Sequence, residues 1–310
     1  MKRNHSNIKK AMKYLDNNNC IGLPTETVYG LAANAYSRKA VSNIFKLKHR
    51  PKKNPLIVHY YSLTMLNKDC KTNKNFFKLY KKFCPGPITF ILKLKKKSKI
   101  CNNVTNNKKT LAVRFPFHPI ARNLLKNLNY PLAAPSANIS TKISAVSKND
   151  VIDEFGKKIK YILDGGRSKI GLESTIVNLI DKPQILRLGG IETAKINQVL
   201  KTKLKLKKKN NKIIVPGQSK VHYSPGIPIR LNVLKPRANE AFIMIKKKNI
   251  NNKNCYYLTK NKNLKEAAKN LYRILRMIKN KKFKYIAVEK IPNKGFGIAI
   301  NDRLIRASKF

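Results

Sequence analysis

One polar turn follows the first apolar segment of this 310-residue chain. The stretch GLPTETVYGL, residues 22–31, places Thr25, Glu26 and Thr27 directly after a predicted strand. Side chains at the end of a strand are where α/β proteins tend to build ligand sites. An ordinary turn with threonine capping would give the same pattern, so this stretch alone leaves both interpretations open.

A second stretch carries two cations ahead of an apolar strand. Lys48 and Arg50 lie two residues apart, the following proline stops any helix, and Asn54 comes next. A planar arginine fork, a lysine point charge and an amide donor could hold a triphosphate. Neighbouring cations mean little in so lysine-rich a chain. His59 closes the strand, and taken alone it fits a structural histidine better than a ligand contact.

A buried arginine is predicted at Arg114, in the middle of the strand within TLAVRFP. A buried guanidinium needs an anionic partner. A carboxylate of the protein would be the ordinary partner. Because the chain has only 14 acidic residues against 68 Lys and Arg, the carboxylate of a ligand becomes more attractive than usual.

Two later stretches are rich in small and hydroxyl-bearing residues. APSAN, residues 134–138, precedes Ser144, and GLEST, residues 171–175, precedes a predicted strand. Such residues let a ligand approach the backbone closely, although each stretch also fits a simple turn. The sequence contains neither a P-loop nor a GxGxxG motif, and its His and Cys residues lack zinc-site spacing.

Short strands and amphipathic helices must position these residues. Ser6 and Ser37 are predicted to cap helices, and a third helix is predicted over 119–128. Strands are predicted at 20–23, 55–60, 88–94, 111–115, 175–179 and 184–188. Because helices alternate unevenly with strands that also follow one another directly, we expect an α/β domain with a mixed sheet.

The chain divides into three predicted parts: a catalytic domain over 1–200, an interdomain linker or lid over 201–228, and a small C-terminal α/β domain over 229–310. Residues 201–212 are mostly Lys and Asn, which suits an exposed linker. The C-terminal domain is predicted to have strands at 242–245, 255–258 and 285–289 and helices at 264–279 and 297–308.

The formal charge of +54 favours polyanionic partners such as RNA or nucleotides. The joint excess of Lys, Asn and Ile is also what an AT-rich genome imposes on surface positions, and we give that interpretation more weight for most lysines. Five cysteines without paired spacing indicate a reducing compartment. No run of about 18 apolar residues and no signal peptide are evident, so we expect a cytoplasmic protein with no membrane contact.

Seven stretches in order resemble the YrdC-like threonylcarbamoyl-AMP synthase family in its long, two-domain form. They are GLPTETVYGLAANA, KLKHRPKKNPLIVH, CPGPITFILK, LAVRFPFHP, APSAN, GLESTIVNL and ILRLGG. PGQSKVHYSPG resembles the family's interdomain linker, and GFGIAINDRLIRAS is similar to its closing segment. The resemblance implies an open twisted α/β sheet whose concave face holds a nucleotide, followed by a small Rossmann-like domain.

The resemblance also implies a reaction and a set of residues. L-Threonine, bicarbonate and ATP would give threonylcarbamoyl-adenylate and pyrophosphate, which a downstream transferase complex uses to modify an adenosine beside the tRNA anticodon. Positions matching threonine contacts are Thr27, His59, Arg114, Ala134 and Ser174. Positions matching nucleotide contacts are Arg50, Asn54, Thr110, Ser136, Ser144, Arg187 and, as a lid, His222 and Tyr223. The family's Lys-Arg…Ser-x-Asn signature, assigned to catalysis, falls on Lys48, Arg50, Ser136 and Asn138.

Mg²⁺ accompanying ATP is expected, held largely by phosphate oxygens and water. The chain departs from the family at Ile139-Ser140-Thr141, where a glycine usually follows, and at Val215 and Gly217-Gln218 in the linker. The alternative function is a non-catalytic RNA-binding protein that uses a basic concave face, and a weak contact with tRNA is compatible with either. A carbamoyl-phosphate-dependent relative would need acylphosphatase and zinc-finger segments, which the sequence lacks.

Overall fold

The computed structural model describes residues 2–206, 221–248, 253–281 and 283–309. Within them, nine strands form one mixed sheet: β1 (Ile21–Leu23), β2 (Gly30–Asn34), β3 (Ile57–His59), β4 (Cys70–Lys71), β5 (Ile88–Leu94), β6 (Thr110–Arg114), β7 (Leu132–Ala133), β8 (Thr175–Asn178) and β9 (Gln184–Arg187). Their spatial order is β1-β2-β7-β3-β6-β5-β8-β9, with β4 added beside β5. The pairs β3–β6 and β5–β8 are parallel and the others antiparallel, which confirms the predicted open mixed sheet.

Eight α-helices accompany this sheet in the described residues: α1 (Lys2–Asp16), α2 (Arg38–Leu47), α3 (Leu63–Asp69), α4 (Lys74–Phe83), α5 (Asn102–Thr105), α6 (Pro119–Asn127), α7 (Lys148–Phe155) and α8 (Thr193–Leu200). Ser37 caps α2 as predicted, because its hydroxyl accepts the backbone N–H of Ala40. The predicted cap at Ser6 is wrong: α1 begins at Lys2, so Ser6 lies inside the helix. The apolar spacing located that helix correctly, but any hydroxyl just before an apolar run resembles a cap.

The two faces of the sheet are covered differently. Alternate residues of β6, Leu111 and Val113, point into the main hydrophobic core with α2 and α4. Ala112 packs on the opposite face in a small cluster with Ile57 and Ile91. Since side chains of a strand alternate between faces, Arg114 shares this second face with Ala112.

The remaining described residues build a second, smaller sheet. Its strands β10 (Ile229–Arg230), β11 (Glu240–Lys246), β12 (Cys255–Thr259) and β13 (Tyr285–Val288) are all parallel, in the order β10-β13-β11-β12. Helices α9 (Leu264–Asn280) and α10 (Phe296–Ala307) pack against each other and against this sheet. A parallel sheet with crossover helices is the Rossmann-like arrangement that the resemblance implied.

The predicted exposed linker differs from the structure at its beginning. Leu204 is buried, and the backbone N–H of Ile185 in β9 donates to the carbonyl of Lys205. Leu206 forms an isolated parallel bridge with Ile185 at the edge of the large sheet, and Leu204 belongs to the main hydrophobic core. Residues 207–220 of the predicted linker, which include the departures at Val215 and Gly217-Gln218, lie outside the described residues, whereas residues 221–228 are described.

Candidate active site

A cleft of about 520 Å³, including its open mouth, lies where β3 and β6 end. Register places His59, the last residue of β3, beside Arg114, the last residue of β6. Arg114 is therefore at the carboxyl end of its strand, and the prediction of a mid-strand position is corrected. The cleft is lined by Thr25, Thr27, Val28, Tyr29, Gly30, Arg50, Ile57, His59, Arg114, Ala134, Pro135, Ser136, Glu173, Ser174, Arg187, His222 and Tyr223.

Arg114 pairs with a carboxylate of the protein. Its Nη2 donates to Oε1 of Glu26 at 2.6 Å, and both side chains are buried. The other carboxylate oxygen of Glu26 accepts the backbone N–H of Phe117 at 3.0 Å. The structural carboxylate that sequence analysis treated as the ordinary alternative therefore exists. The Nε of Arg114 is nevertheless buried without a hydrogen-bond partner in the described structure, so one edge of the guanidinium still lacks an acceptor.

His59 is 2 % exposed, and its Nδ1 also lacks a partner in the described structure. Burial lowers the pKa of this imidazole well below its usual value, and the neighbouring charge of Arg114 lowers it further. The ring is therefore neutral at physiological pH. A neutral, buried imidazole beside a guanidinium can exchange hydrogen bonds with a ligand that brings its own polar groups.

Thr27 is held by the turn that sequence analysis singled out. The hydroxyl of Thr25 donates to the carbonyl of Val28 at 2.5 Å and lies 2.9 Å from the hydroxyl of Thr27. Because the one proton of Thr25 is already used, Thr27 donates to Thr25 and keeps lone pairs toward the cleft. Thr27 is thus oriented as a hydrogen-bond acceptor.

Ser174 and Arg187 meet on the other side of the cleft. The guanidinium of Arg187 donates twice to the carbonyl of Ser174, at 3.1 and 2.9 Å, and once to its hydroxyl at 3.1 Å. That hydroxyl also lies 2.7 Å from the hydroxyl of Thr89 in β5. Burial lowers the pKa of Arg187. The side chain of Ser174 is consequently fixed in position.

Arg50 adds a further cation to the cleft wall. It follows α2 and donates to the carbonyls of Asn54 and Pro55 at 3.2 and 3.1 Å. Burial, together with repulsion from Arg187, lowers the pKa of Arg50 to about 10. Two guanidiniums that repel each other across a cleft favour an anion between them.

Five predicted site residues do not line the cleft. The ammonium of Lys48 is buried and donates to the carbonyls of Ser136, at 2.6 Å, and Asn138. The amide of Asn138 donates to the carbonyls of Ile139 and Lys142. These contacts fix the conformation of residues 134–142. Lys48 and Asn138 therefore act on the cleft only through that loop, whereas Ala134 and Ser136 line the cleft directly. The catalytic role of the signature stays a prediction.

The other three lie behind the cleft wall or away from it. Ser144 is fully buried, and its hydroxyl donates to Glu173 at 2.6 Å. Asn54 is buried, with an Oδ1 that has no partner in the described structure. Thr110 opens β6, about 13 Å along the strand from Arg114 but on the same face. Their contacts with a nucleotide stay predictions.

His222 and Tyr223 line the cleft and also contact the second unit. The backbone N–H of His222 donates to the carbonyl of Arg306 in α10, and Ser224 donates to Thr141. The Tyr223 ring is fully buried and stacks on Tyr272 with centroids 5.7 Å apart. Its hydroxyl is buried without a partner in the described structure, and burial raises its pKa to about 12, so it is a protonated donor.

Sequence reasoning missed the residues that join the second unit to the cleft. Glu173 lines the cleft and receives hydrogen bonds from Tyr272 in α9 and Arg303 in α10. Because the chain has only 14 acidic residues, an acid within a motif such as GLEST could have drawn attention to Glu173. Arginine is likewise rare, with 13 in the chain, which could have drawn attention to Arg303. Neither the scarcity of acids nor the scarcity of arginine could show that Glu173 and Arg303, which are 130 positions apart, contact each other.

Among the described residues, no three His, Cys, Asp or Glu side chains are grouped so as to hold a metal ion. The two carboxylates at the cleft, Glu26 and Glu173, are each paired with an arginine. No helix within the described ranges is both long and apolar enough to cross a membrane.

Two family models together match nearly the whole chain. The Sua5/YciO/YrdC family, described as "Telomere recombination", matches residues 13–189. A family described as "Threonylcarbamoyl-AMP synthase, C-terminal domain" matches residues 191–309.

Named relatives and solved structures agree with these matches. The threonylcarbamoyl-AMP synthase of Bacillus subtilis is 33% identical, with 98% of this chain and 94% of that protein covered. That of Schizosaccharomyces pombe is also 33% identical, covering 93% and 84%. The crystal structure of Pyrococcus abyssi Sua5 complexed with L-threonine superposes with a TM-score of 0.89 at 33% identity, covering 97% of this chain and 94% of that one.

Proposed function

The chain belongs to the family of two-domain threonylcarbamoyl-AMP synthases, and we propose that it makes threonylcarbamoyl-adenylate and pyrophosphate from L-threonine, bicarbonate and ATP. The product would supply the threonylcarbamoyl group for an adenosine beside the anticodon of tRNA. The proposal draws on the names of the relatives and on the chemistry of the cleft.

One observation carries the proposal: polar atoms of four cleft-lining residues are buried without a hydrogen-bond partner in the described structure. They are His59 Nδ1, Arg114 Nε, His222 Nδ1 and the Tyr223 hydroxyl. A buried polar atom without a partner costs free energy, of order 1–3 kcal/mol each. A ligand with several polar groups would recover that cost, as threonine and a nucleotide together can.

The end of the cleft around Arg114 fits an amino acid. A threonine carboxylate would bind the Nε edge of Arg114 while Glu26 keeps the Nη2. Thr27 offers an acceptor and His59 a neutral ring for the ammonium and hydroxyl of threonine. Glu26 thus orients the guanidinium and leaves room for a second anion.

The end around Arg50 and Arg187 fits phosphates. The ammonium of threonine first loses a proton, and the neutral amine then adds to the carbon of bicarbonate with loss of water, giving a carbamate. A carbamate oxygen then attacks the α-phosphorus of ATP, and the bond from that phosphorus to the bridging oxygen breaks, releasing pyrophosphate. The residues of the cleft contribute by orientation and by neutralising phosphate charge.

Mg²⁺ would enter with ATP and neutralise further phosphate charge. Since both carboxylates at the cleft are paired with arginines, triphosphate oxygens and water would supply most of its ligands. The further partners that we propose are bicarbonate, the downstream tRNA-modifying transferase complex and a weak contact with tRNA.

Pyrophosphate release tests the proposal. The full-length protein with ATP, Mg²⁺, bicarbonate and L-threonine should release pyrophosphate, and omission of any one of them should abolish release. Equal release without threonine would contradict the proposal and indicate a general ATPase. No release, combined with tRNA binding that falls steeply with salt, would favour the RNA-binding alternative.

A further inference from the structure

Glu173 is a buried carboxylate in the wall of the cleft, and two of its donors come from the second unit. The Ser144 hydroxyl, from the first unit, donates to Oε1 at 2.6 Å. The Tyr272 hydroxyl in α9 lies 3.0 Å from each carboxylate oxygen. The Nε of Arg303 in α10 donates to Oε2 at 3.1 Å.

Arg303 is 1 % exposed and ties several parts of this region together. Its Nη2 donates to the carbonyl of Leu188, just after β9, at 2.6 Å, and its Nη1 donates to Asp302 at 2.8 Å. Its guanidinium lies 5.0 Å from the centre of the Tyr223 ring, which also stacks on Tyr272. Arg303 and Tyr272 do not line the cleft themselves. Each contacts two residues that do, Glu173 and Tyr223.

The charge of Glu173 must be balanced where it lies. Burial by itself would raise the pKa of Glu173, but Arg303, Arg187 and the Ser144 hydroxyl outweigh it and hold the pKa at about 2. The carboxylate is thus ionised at neutral pH. An ionised carboxylate in a cleft that binds a triphosphate would repel the phosphates unless neighbouring groups neutralise it.

We propose that Arg303 and Tyr272 are positioning residues for the nucleotide end of the cleft, and that they act through Glu173. The inference rests on the proposed function, which assigns Arg187 to the phosphates of the nucleotide. With Glu173 bound by the second unit, Arg187 stays directed at Ser174. Without those donors, the carboxylate keeps the Ser144 hydroxyl but loses the charge of Arg303, and its uncompensated negative charge faces ATP.

Tyr272→Phe tests the hydroxyl with almost no change in packing. We expect kcat/KM for ATP to fall about tenfold, with a much smaller change in the KM for threonine. Tyr256→Phe is the matched control, because Tyr256 is a buried tyrosine of the same unit whose hydroxyl has no partner in the described structure. Equal effects of the two substitutions would overturn the role given to the Tyr272 hydroxyl.

Arg303→Met tests the charge, and a second substitution tests whether Glu173 is the intermediary. We expect kcat/KM for ATP to fall about a hundredfold in Arg303→Met. Adding Glu173→Gln should restore part of the loss, because removing both charges of a buried pair is less costly than removing one. A double variant no better than Arg303→Met would overturn the proposal.

Binding of a non-hydrolysable ATP analogue, measured by calorimetry without threonine, separates this inference from the proposed function. If the wild type binds the analogue but never turns over threonine, the proposed function fails. The analogue affinities of the same variants then judge the inference. Arg230→Met controls for losing an ion pair in the second unit, since Arg230 pairs with Glu240 away from the cleft. Loss of analogue affinity in that control as great as in Arg303→Met would overturn the positioning role.

Discussion

Arg114 holds a protein carboxylate through its Nη2, while its buried Nε has no hydrogen-bond partner in the described structure. This geometry changes the design of any test at this position. Arg114→Met alone leaves Glu26 as a buried, unpaired charge, which costs several kcal/mol whatever the ligand. Lost activity in that single variant would therefore not distinguish binding from folding.

The double variant Arg114→Met with Glu26→Gln separates the two roles. We expect it to regain most of the melting temperature lost in Arg114→Met, because no buried charge remains. It should still lose threonine affinity by about 1.5–3 kcal/mol, the value of a charge-assisted hydrogen bond, while ATP affinity changes little. Calorimetric titration with each ligand measures this. Recovery of threonine binding in the double variant would show that Arg114 serves only Glu26.

His59 gives the folded protein a pH dependence of known sign. The imidazole is held neutral in the fold, with a pKa well below its usual value because of burial and Arg114. The unfolded chain takes up a proton at this residue below about pH 6.5. The free energy of unfolding should therefore fall with decreasing pH, by up to about 1.4 kcal/mol per pH unit from His59.

Urea titrations at pH 7, 6 and 5 measure that slope. His59→Asn should make the decline between pH 6.5 and 5 shallower by about that amount. His49→Asn is the matched control, since His49 is exposed and its φ of 47° suits asparagine. An unchanged slope in His59→Asn would contradict a neutral buried imidazole.

Lys48, directly after helix α2, links that helix to the loop over residues 134–142. Its ammonium bonds two carbonyls of that loop, and burial followed by repulsion from Arg50 lowers its pKa well below the usual value. The family signature pairs Lys48 with Ser136 and Asn138. The structure supplies a physical reason for that pairing, which is the shape of the loop.

Lys48→Met should lower kcat/KM for ATP and for threonine together, by about tenfold or more, because the loop borders both ends of the cleft and loses a charged donor. Lys46→Met, at an exposed position in the last turn of α2, should change neither. Steady-state kinetics with each substrate varied would show this. A loss confined to ATP would indicate instead that Lys48 leaves the loop and binds phosphate.

Elements with long apolar periodicity could be predicted from the sequence, and short ones could not. The strand over 88–94 and the helix beginning at Pro119 came from repeated apolar positions. The two-residue strands β4 and β7 carry no period of their own and exist because neighbouring strands pair with them. The cleft residues could be predicted only from the order of the motifs along the chain, because their contacts join segments that are far apart in sequence.

The two units are in close contact at Gly171, which packs against helix α9. A Cβ at Gly171 would lie 2.5 Å from the carbonyl oxygen of Lys269 in α9, at a φ of 74°. Gly166 has a similar φ of 67° but open space around it. Substitutions at these two glycines therefore separate the effect of backbone strain from the effect of a clash between the two units.

Gly171→Ala should therefore lower the melting temperature and the ATP affinity more than Gly166→Ala. Both variants pay about 1 kcal/mol for a non-glycine residue at positive φ, but only the first pushes α9 and Tyr272 away from Glu173. Thermal melts and analogue titrations of both variants would compare them. Equal losses would mean that the contact yields without disturbing the cleft.

The most direct measurement follows the carbon of bicarbonate into an adenylate. The full-length protein, incubated with ¹⁴C-bicarbonate, L-threonine, ATP and Mg²⁺, should form one labelled product that contains threonine, the labelled carbonyl and AMP. An equal amount of pyrophosphate should accompany it, and leaving out threonine should remove both. Pyrophosphate release without a labelled threonine adenylate, or a labelled adenylate formed without threonine, would contradict the assignment of the cleft to threonine and ATP.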